Sequence, residues 1–524
     1  MQTQIIIFLF LALTAVVGTA QDLPPQFDLR DHDGENYVTP VRDQEGYNSW
    51  AFASLASMES NLMVTDIWGL SGEEGLPDLA EYHMDWWNGF NTYHNSDTDN
   101  PGNAGVPVHN GGSYRMAAAY LTRGEGAVRE IDASSYQQPP QQADEDYHYF
   151  IPRHIIWLNA GENLEQINKI KQSLMNYGAL ASVISYDADY IDFLYNHYQP
   201  PSSDELPNLA ITIVGWDDYK ITPASQRGAW ICKNSWGSSW GNNGYFYVSY
   251  YDKYAAKHPE MGAVLFADVR KPEYDNFYYH DYHGWVDTLQ DAIAVFNRFE
   301  AGNDEYIKSI SFVTAEDDVD YTLEVYKDFE NGMLRELIYS HQGEAEYAGY
   351  HSTDLSPVAY LDKDKPFYIY LKLSGGNYAY DRTHHPDVLN AELLGPVESK
   401  ASPGESYYLT NTGWRDFYDY EDPSGFQQSG NFCIKAYTMN NPGTSQKSVK
   451  HGNGFAVSVN NNMLTAKADK AGGILQLYDV QGRIVDEIRF REQRSVHVPF
   501  TETGVFIYRF YDGATVHSGK FTAY

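Results

Sequence analysis

Three aromatic- and glycine-rich runs, in a set order, constrain this chain more than any other feature. The first reads Tyr37-Val38-Thr39-Pro40-Val41-Arg42-Asp43-Gln44 and continues Glu45-Gly46-Tyr47-Asn48-Ser49-Trp50-Ala51-Phe52. The second is Asn208-Leu209-Ala210-Ile211-Thr212-Ile213-Val214-Gly215-Trp216. The third is Lys233-Asn234-Ser235-Trp236-Gly237, followed by Trp240-Gly241-Asn242-Asn243-Gly244-Tyr245. Behind the first run, Phe52, Leu55, Met58 and Leu62 recur at helical spacing, which predicts a buried helix over Ser49–Met63. The later runs alternate and are bounded by glycine, which predicts strands over 210–215, 229–233 and 244–250. Between them, 163–177 reads as a helix stopped at Gly178, followed by a strand over 180–185. Asp78–Met84 opens a further helix, and Asn110-Gly111-Gly112-Ser113 precedes an amphipathic stretch, Tyr114–Leu121. Helices first and strands later give an α+β class.

Taken together, the runs resemble those of the papain-like cysteine peptidases, and Leu23-Pro24-Pro25-Gln26-Phe27-Asp28-Leu29-Arg30 resembles their mature N-terminus. The resemblance implies a two-lobed domain, a helical lobe plus a β-barrel lobe. Family members place a nucleophilic cysteine before Trp-Ala-Phe and a basic histidine after the Asn of the second run. Here those positions hold Ser49 and Leu209, while Asn234, which would orient the imidazole, is intact. A thiolate needs a neighbouring imidazolium, a serine hydroxyl needs an adjacent base, and leucine offers no proton chemistry. Gln44 corresponds to the family's oxyanion-hole glutamine, which normally precedes the nucleophile by six residues; here it precedes Ser49 by five. Either Ser49 replaces the cysteine in a shortened loop, or the cysteine was deleted and Asn48-Ser49 are its former predecessors. Gly111 and Gly112 resemble the glycine pair lining the substrate cleft, and Trp236 belongs to the same cleft. No intact catalytic set is expected, and Gln44, Ser49, Leu209 and Asn234 mark the positions of the degenerate site.

Nothing else in the sequence replaces the missing groups. Cys232 and Cys433 lie in strand-like runs and read as buried thiols rather than a disulfide framework. No spacing of His, Cys or carboxylate residues points to a metal, and no cofactor is expected. Ile5–Ala20 is an apolar run ending in small residues, which reads as a signal peptide over residues 1–20 rather than a transmembrane anchor. The 524 residues carry 36 basic and 71 acidic side chains, a formal charge of −35. That balance argues against nucleic acid as a partner, because phosphates demand a basic surface.

From Glu273 onward the character changes to short alternating strands, among them 307–312, 321–326, 366–373 and 431–437. This part, with Tyr347-Ala348-Gly349-Tyr350-His351, resembles the lectin-like β domain that follows the papain-like domain in some secreted bacterial proteins. A polar stretch over 441–454 reads as a linker. The last module contains Leu477-Tyr478-Asp479-Val480-Gln481-Gly482-Arg483 and Gly504-Val505-Phe506-Ile507-Tyr508-Arg509-Phe510. It resembles the C-terminal sorting domain of the type IX secretion system in Bacteroidetes. The expected organisation is a signal peptide (1–20), a papain-like domain (22–270) and two β-sandwich domains: lectin-like (271–440) and, after the linker, sorting (455–524). The expected role is a secreted or surface pseudopeptidase binding peptide or glycan. The alternatives are an active papain-like peptidase or Ser49-dependent hydrolase with a non-standard base such as His197, and a purely structural surface protein.

Overall fold

The helix behind Trp50 forms as Ser49–Val64, and Trp50, Leu55, Met58 and Leu62 are all fully buried. They pack with Met84 of helix Glu81–Trp87 and with Tyr114 and Tyr120 of helix Tyr114–Thr122, making the core of the helical lobe. The computed structural model describes residues 23–95, 97, 104–389, 393–441, 455–460, 463–468, 472–478, 483–490, 495–500, 504–511 and 516–523. The expected signal peptide and all but the first residue of the expected linker lie outside the described residues.

Two helices begin later than their sequence suggests. Leu79 and Ala80 are held extended against Val128 and Arg129, and the Leu79 N–H is taken by Glu59, so the helix starts at Glu81. Residues 161–166 form turns, with Leu164 at a positive φ of 65°, so the next helix is Ile167–Tyr177.

The second lobe is a sheet. Its strands run in the order His154–Leu158, Ala263–Ala267, Leu180–Ile184, Leu209–Asp217, Ala229–Lys233, Tyr245–Ser249 and Asn196–His197. All neighbours are antiparallel except the last pair, and among the described residues the path is open rather than the closed barrel the sequence suggested. Trp216, Trp230, Ile213 and Phe246 fill its core.

The expected boundary near residue 270 is not a break in the sheet. The strand His154–Leu158 also pairs with Gly349–Leu361 of the next module, matching Gly349 with Ile156 and His351 with His154. Gly349 sits at φ 140°, and a Cβ there would lie 2.0 Å from the Ile155 carbonyl oxygen, so only glycine lets the strands approach. Beyond Gly349–Leu361, the ladder continues through Glu305–Thr314 and Ile434–Asn440.

A second sheet covers this half, ordered Met333–Ala345, Val319–Glu330, Pro366–Leu373, Ala294–Glu300, Ser406–Thr410 and Gly413–Asp416. Val295, Ile310, Phe312, Leu323, Ile369 and Leu371 form the core between the sheets. The run expected as one strand over 431–437 breaks at Cys433, whose N–H donates to the Ala379 carbonyl instead. Both cysteines are free and buried.

The C-terminal module has a three-stranded sheet (Phe455–Asn460, Met463–Ala468, Ser495–Pro499) and a four-stranded one (Ile484–Arg489, Ile474–Tyr478, Gly504–Tyr511, Val516–Ala523). Phe455 stacks on Phe510 at 4.0 Å within a shared core that also holds Leu464, Leu475 and Phe490.

Candidate functional site

Ser49 opens the central helix and is only 4% exposed. Its Oγ accepts the Ala210 N–H at 3.0 Å, so the helix N-terminus faces the start of strand Leu209–Asp217. Leu209, one residue earlier, is buried in the sheet-lobe core. Among the described residues no histidine hydrogen-bonds to Ser49. His197, the candidate substitute base, is fully buried, with Nε2 against the Ser185 carbonyl and Nδ1 3.2 Å from Asp252. A His–carboxylate pair is linked to Asn48, the residue before Ser49: His109 Nδ1 lies 2.6 Å from Asp85 Oδ2. That carboxylate also accepts from Asn48 Nδ2 at 3.2 Å, and the His109 ring stacks on Tyr136 at 4.1 Å. Sequence reasoning missed this network, because the three residues are distant in the chain and match no motif.

The short loop before Ser49 engages Gln44. Its Nε2 donates to the Gly46 carbonyl at 2.8 Å, and its Oε1 accepts from Ser235 Oγ at 2.6 Å. One of the two Nε2 N–H donors is thus committed to the loop and Oε1 to Ser235, which fixes the direction of the amide away from free reorientation toward a developing oxyanion. Asn234 is buried; its Oδ1 accepts the Ser235 N–H, while among the described residues its Nδ2 has no partner. The sequence-predicted residues Gln44, Ser49, Leu209 and Asn234 therefore do sit around one seam between the lobes.

Behind that seam lies a buried ionic cluster. Glu59, on the central helix, accepts from Thr39 Oγ1 (2.5 Å), the Leu79 N–H (2.9 Å) and Arg42 Nη2 (3.0 Å). Arg42 also pairs with Asp78 and with Glu81 at 3.6 Å, and Lys233 Nζ donates to Thr39 Oγ1 at 3.1 Å. Burial pushes the Glu81 carboxyl up to about 8, although Arg42 opposes the shift, and it pushes Lys233 down to about 8. These groups line a small cavity with Phe52, Ala210 and Asn234.

The glycine edge is built tightly. Gly111 N–H donates to the Tyr47 carbonyl at 2.9 Å, tying the edge to the loop before Ser49. A Cβ on Gly112 would meet the Trp50 indole at 2.3 Å, so the tryptophan that follows Ser49 requires glycine here. Trp236 is not at this edge: it packs on Tyr186 at 4.8 Å and Trp240 at 5.3 Å against the sheet-lobe core.

A second candidate surface lies on the outer face of the six-stranded sheet. Tyr326 and Tyr370 alternate with the buried Val325 and Ile369, so they project away from the core. Rings run from Tyr326 to Tyr370 (6.5 Å), Trp414 (6.2 Å) and Phe296 (4.7 Å). Tyr326 Oη donates to Glu324 at 2.5 Å beside this ridge. Among the described residues no three His, Cys, Asp or Glu side chains converge as a metal site.

A two-lobed α+β unit sharing a sheet with a β-sandwich is the class this geometry defines. A model of the papain family cysteine protease matches residues 99–261, and one of the lectin-like domain matches 277–438. The chain thus carries a papain-family cysteine protease domain followed by a lectin-like domain. It is 29% identical to human (Homo sapiens) cathepsin O over 231 residues, 43% of this chain and 61% of that protein. Bos taurus pro-cathepsin H is 27% identical over 232 residues, 43% of this chain and 59% of that protein. The match thus spans about three fifths of each of these relatives. The fold is that of the cysteine protease and lectin-like domains of Cwp84, a surface layer associated protein of Clostridium difficile. That match has a TM-score of 0.62 at 22% identity, covering 81% of this chain and 90% of that one. The clostridial cysteine protease Cwp84 after propeptide cleavage matches with a TM-score of 0.63 at 22% identity, covering 79% of this chain and 99% of that one.

Proposed function

We propose that this protein is a secreted, surface-acting pseudopeptidase that binds glycan through the outer aromatic face of its lectin-like domain and does not cleave peptides. The observation that carries the loss of catalysis is Ser49 Oγ accepting the Ala210 N–H, with Leu209 in the base position. A hydroxyl without a base is a poor nucleophile, and triad members do not act independently. The ridge Tyr326–Tyr370–Trp414 supports the glycan reading, since half-buried rings stack well on sugar faces while polar neighbours such as Glu324 orient hydroxyls. Surface association of Cwp84, as its name states, fits the same reading. Among the described residues no helix is long and apolar enough to cross a membrane.

Two measurements test this. Incubating the purified chain with a peptide library should give turnover at background; cleavage that vanishes in Ser49→Ala would overturn the pseudopeptidase reading. On a glycan array, the native chain should bind and Trp414→Ala with Tyr370→Ala should not; equal binding by both would remove the ridge from the proposal.

Export rests on the C-terminal module as a type IX sorting domain of a Bacteroidetes host. Deleting Gly504–Tyr524 removes two paired strands of the four-stranded sheet and should strand the processed chain in the periplasm. Equal release of full-length and truncated chains would refute the sorting role.

A further inference from the structure

The glycine edge of the peptidase-like cleft is already hydrogen-bonded within this chain. The Gly112 carbonyl accepts the N–H of Leu389 at 3.1 Å, and Leu389 belongs to the lectin-like domain, more than 270 positions later. Leu389 is 5% exposed and joins the apolar cluster that contains Trp50, Tyr114, Val183 and Ala210. Val388 and Leu393 pack against the same cluster, and Val397 is fully buried in it.

The rest of the segment is anchored in the same way. Leu394 N–H donates to the Gly105 carbonyl at 3.1 Å, and Gly105 N–H donates to the Gly395 carbonyl at 3.2 Å. At the base, His384 and Val397 exchange both of their main-chain hydrogen bonds, at 3.0 and 2.7 Å. Two limbs, 384–389 and 393–397, thus leave the lectin-like domain as a strap paired at its base. They reach the helical lobe through main-chain hydrogen bonds on one side and apolar side chains on the other. An extended peptide docks on an exposed backbone edge by this division of labour, with main-chain bonds for affinity and a side chain in a pocket for fit.

We propose that the peptidase-like cleft is a socket for the chain's own strap, with Leu389 as the anchoring side chain, and that it is closed to peptides from outside. An intramolecular ligand needs no second molecule to be ordered and acts at a high effective concentration, so a free peptide competes poorly. The buried Leu389 side chain and the commitment of the Gly112 carbonyl make the strap and an incoming strand mutually exclusive at that edge. The socket stands apart from the glycan reading, because no residue of the Tyr326–Tyr370–Trp414 ridge takes part in it.

Two measurements on the full chain test the socket. Hydrogen exchange in the native protein should show the Leu389 and Leu394 amides protected well above exposed loop amides; free exchange at Leu389 would overturn the proposal without any variant. A fluorescein-labelled synthetic peptide of residues 384–397 is then titrated against the native chain and against Leu389→Asp. The charge should expel the strap, so the variant binds the peptide at least about tenfold more tightly than the native chain, whose open fraction is small. Equal affinity for both chains, or no binding by a folded variant whose strap amides exchange freely, would show that the cleft does not select this segment.

Discussion

The mouth and the back of the lobe seam make an instructive pair. At the mouth stand Ser49 and Leu209, whose side chains, among the described residues, are held by one hydrogen bond, Ser49 Oγ with the Ala210 N–H, and by apolar packing. At the back, Glu59, Arg42, Glu81, Lys233 and Thr39 form a dense buried network across the same two lobes. The reacting atoms touch few structural partners, so their identity can change without moving the lobes. The network behind them holds the seam, and a change there disturbs every element it joins.

The sharpest way to break that contrast is Glu59→Ala. It should destabilise the chain by about 3–5 kcal/mol in chemical denaturation, because it leaves Arg42 short of a buried partner and the Leu79 N–H unsatisfied. A loss below about 1 kcal/mol would show that the back of the seam is as dispensable as its mouth.

Next in size is a pH dependence. Burial raises Glu81 from 4.5 to about 8, so the folded chain holds that proton more tightly than the unfolded chain. Its favourable contribution is complete below about pH 4.5 and is lost as pH rises toward 8. Glu81→Gln should therefore flatten the fall in Tm across that window; an unchanged slope would show that Arg42 keeps the carboxylate charged throughout.

A smaller effect is expected at the mouth. Ser49→Ala removes the acceptor of a buried N–H and should cost about 1–3 kcal/mol while leaving peptide turnover at background. The smallest is in activity. Ser49→Cys with Leu209→His should stay near background, because Gln44 Nε2 is bonded to the Gly46 carbonyl and misplacement of about 1 Å can cost about a hundredfold. Robust turnover by that double variant would show that the five-residue spacing leaves the oxyanion site intact.

What the sequence made legible was local. The period of Phe52, Leu55, Met58 and Leu62 placed the central helix within a residue, and strand Ala229–Lys233 came out as expected. The helix onsets at Glu81 and Ile167 were misread, because extended pairing of Leu79 with Arg129 and the turn through Leu164 outweigh helical propensity. The motifs named Gln44, Ser49, Leu209 and Asn234, which the fold brings to one seam, and Trp236, which packs on Tyr186 and Trp240. The Asn48–Asp85–His109 network and the meeting of Leu389 with Gly112 left no local signal. Both are set by tertiary approach of distant segments, and no periodicity records them.

The strand pairing at His154–Leu158 has a mechanical consequence. Tension applied at Asn440, toward the C-terminal module, enters strand Ile434–Asn440 and passes sideways to Glu305–Thr314, then to Gly349–Leu361. It then crosses the Gly349–Ile156 pairing into the sheet behind the cleft without meeting a hinge. A chain held at Asn440 and loaded at its papain-like lobe would carry the force through these ladders, so the two modules would resist as one and yield first at a strand pairing.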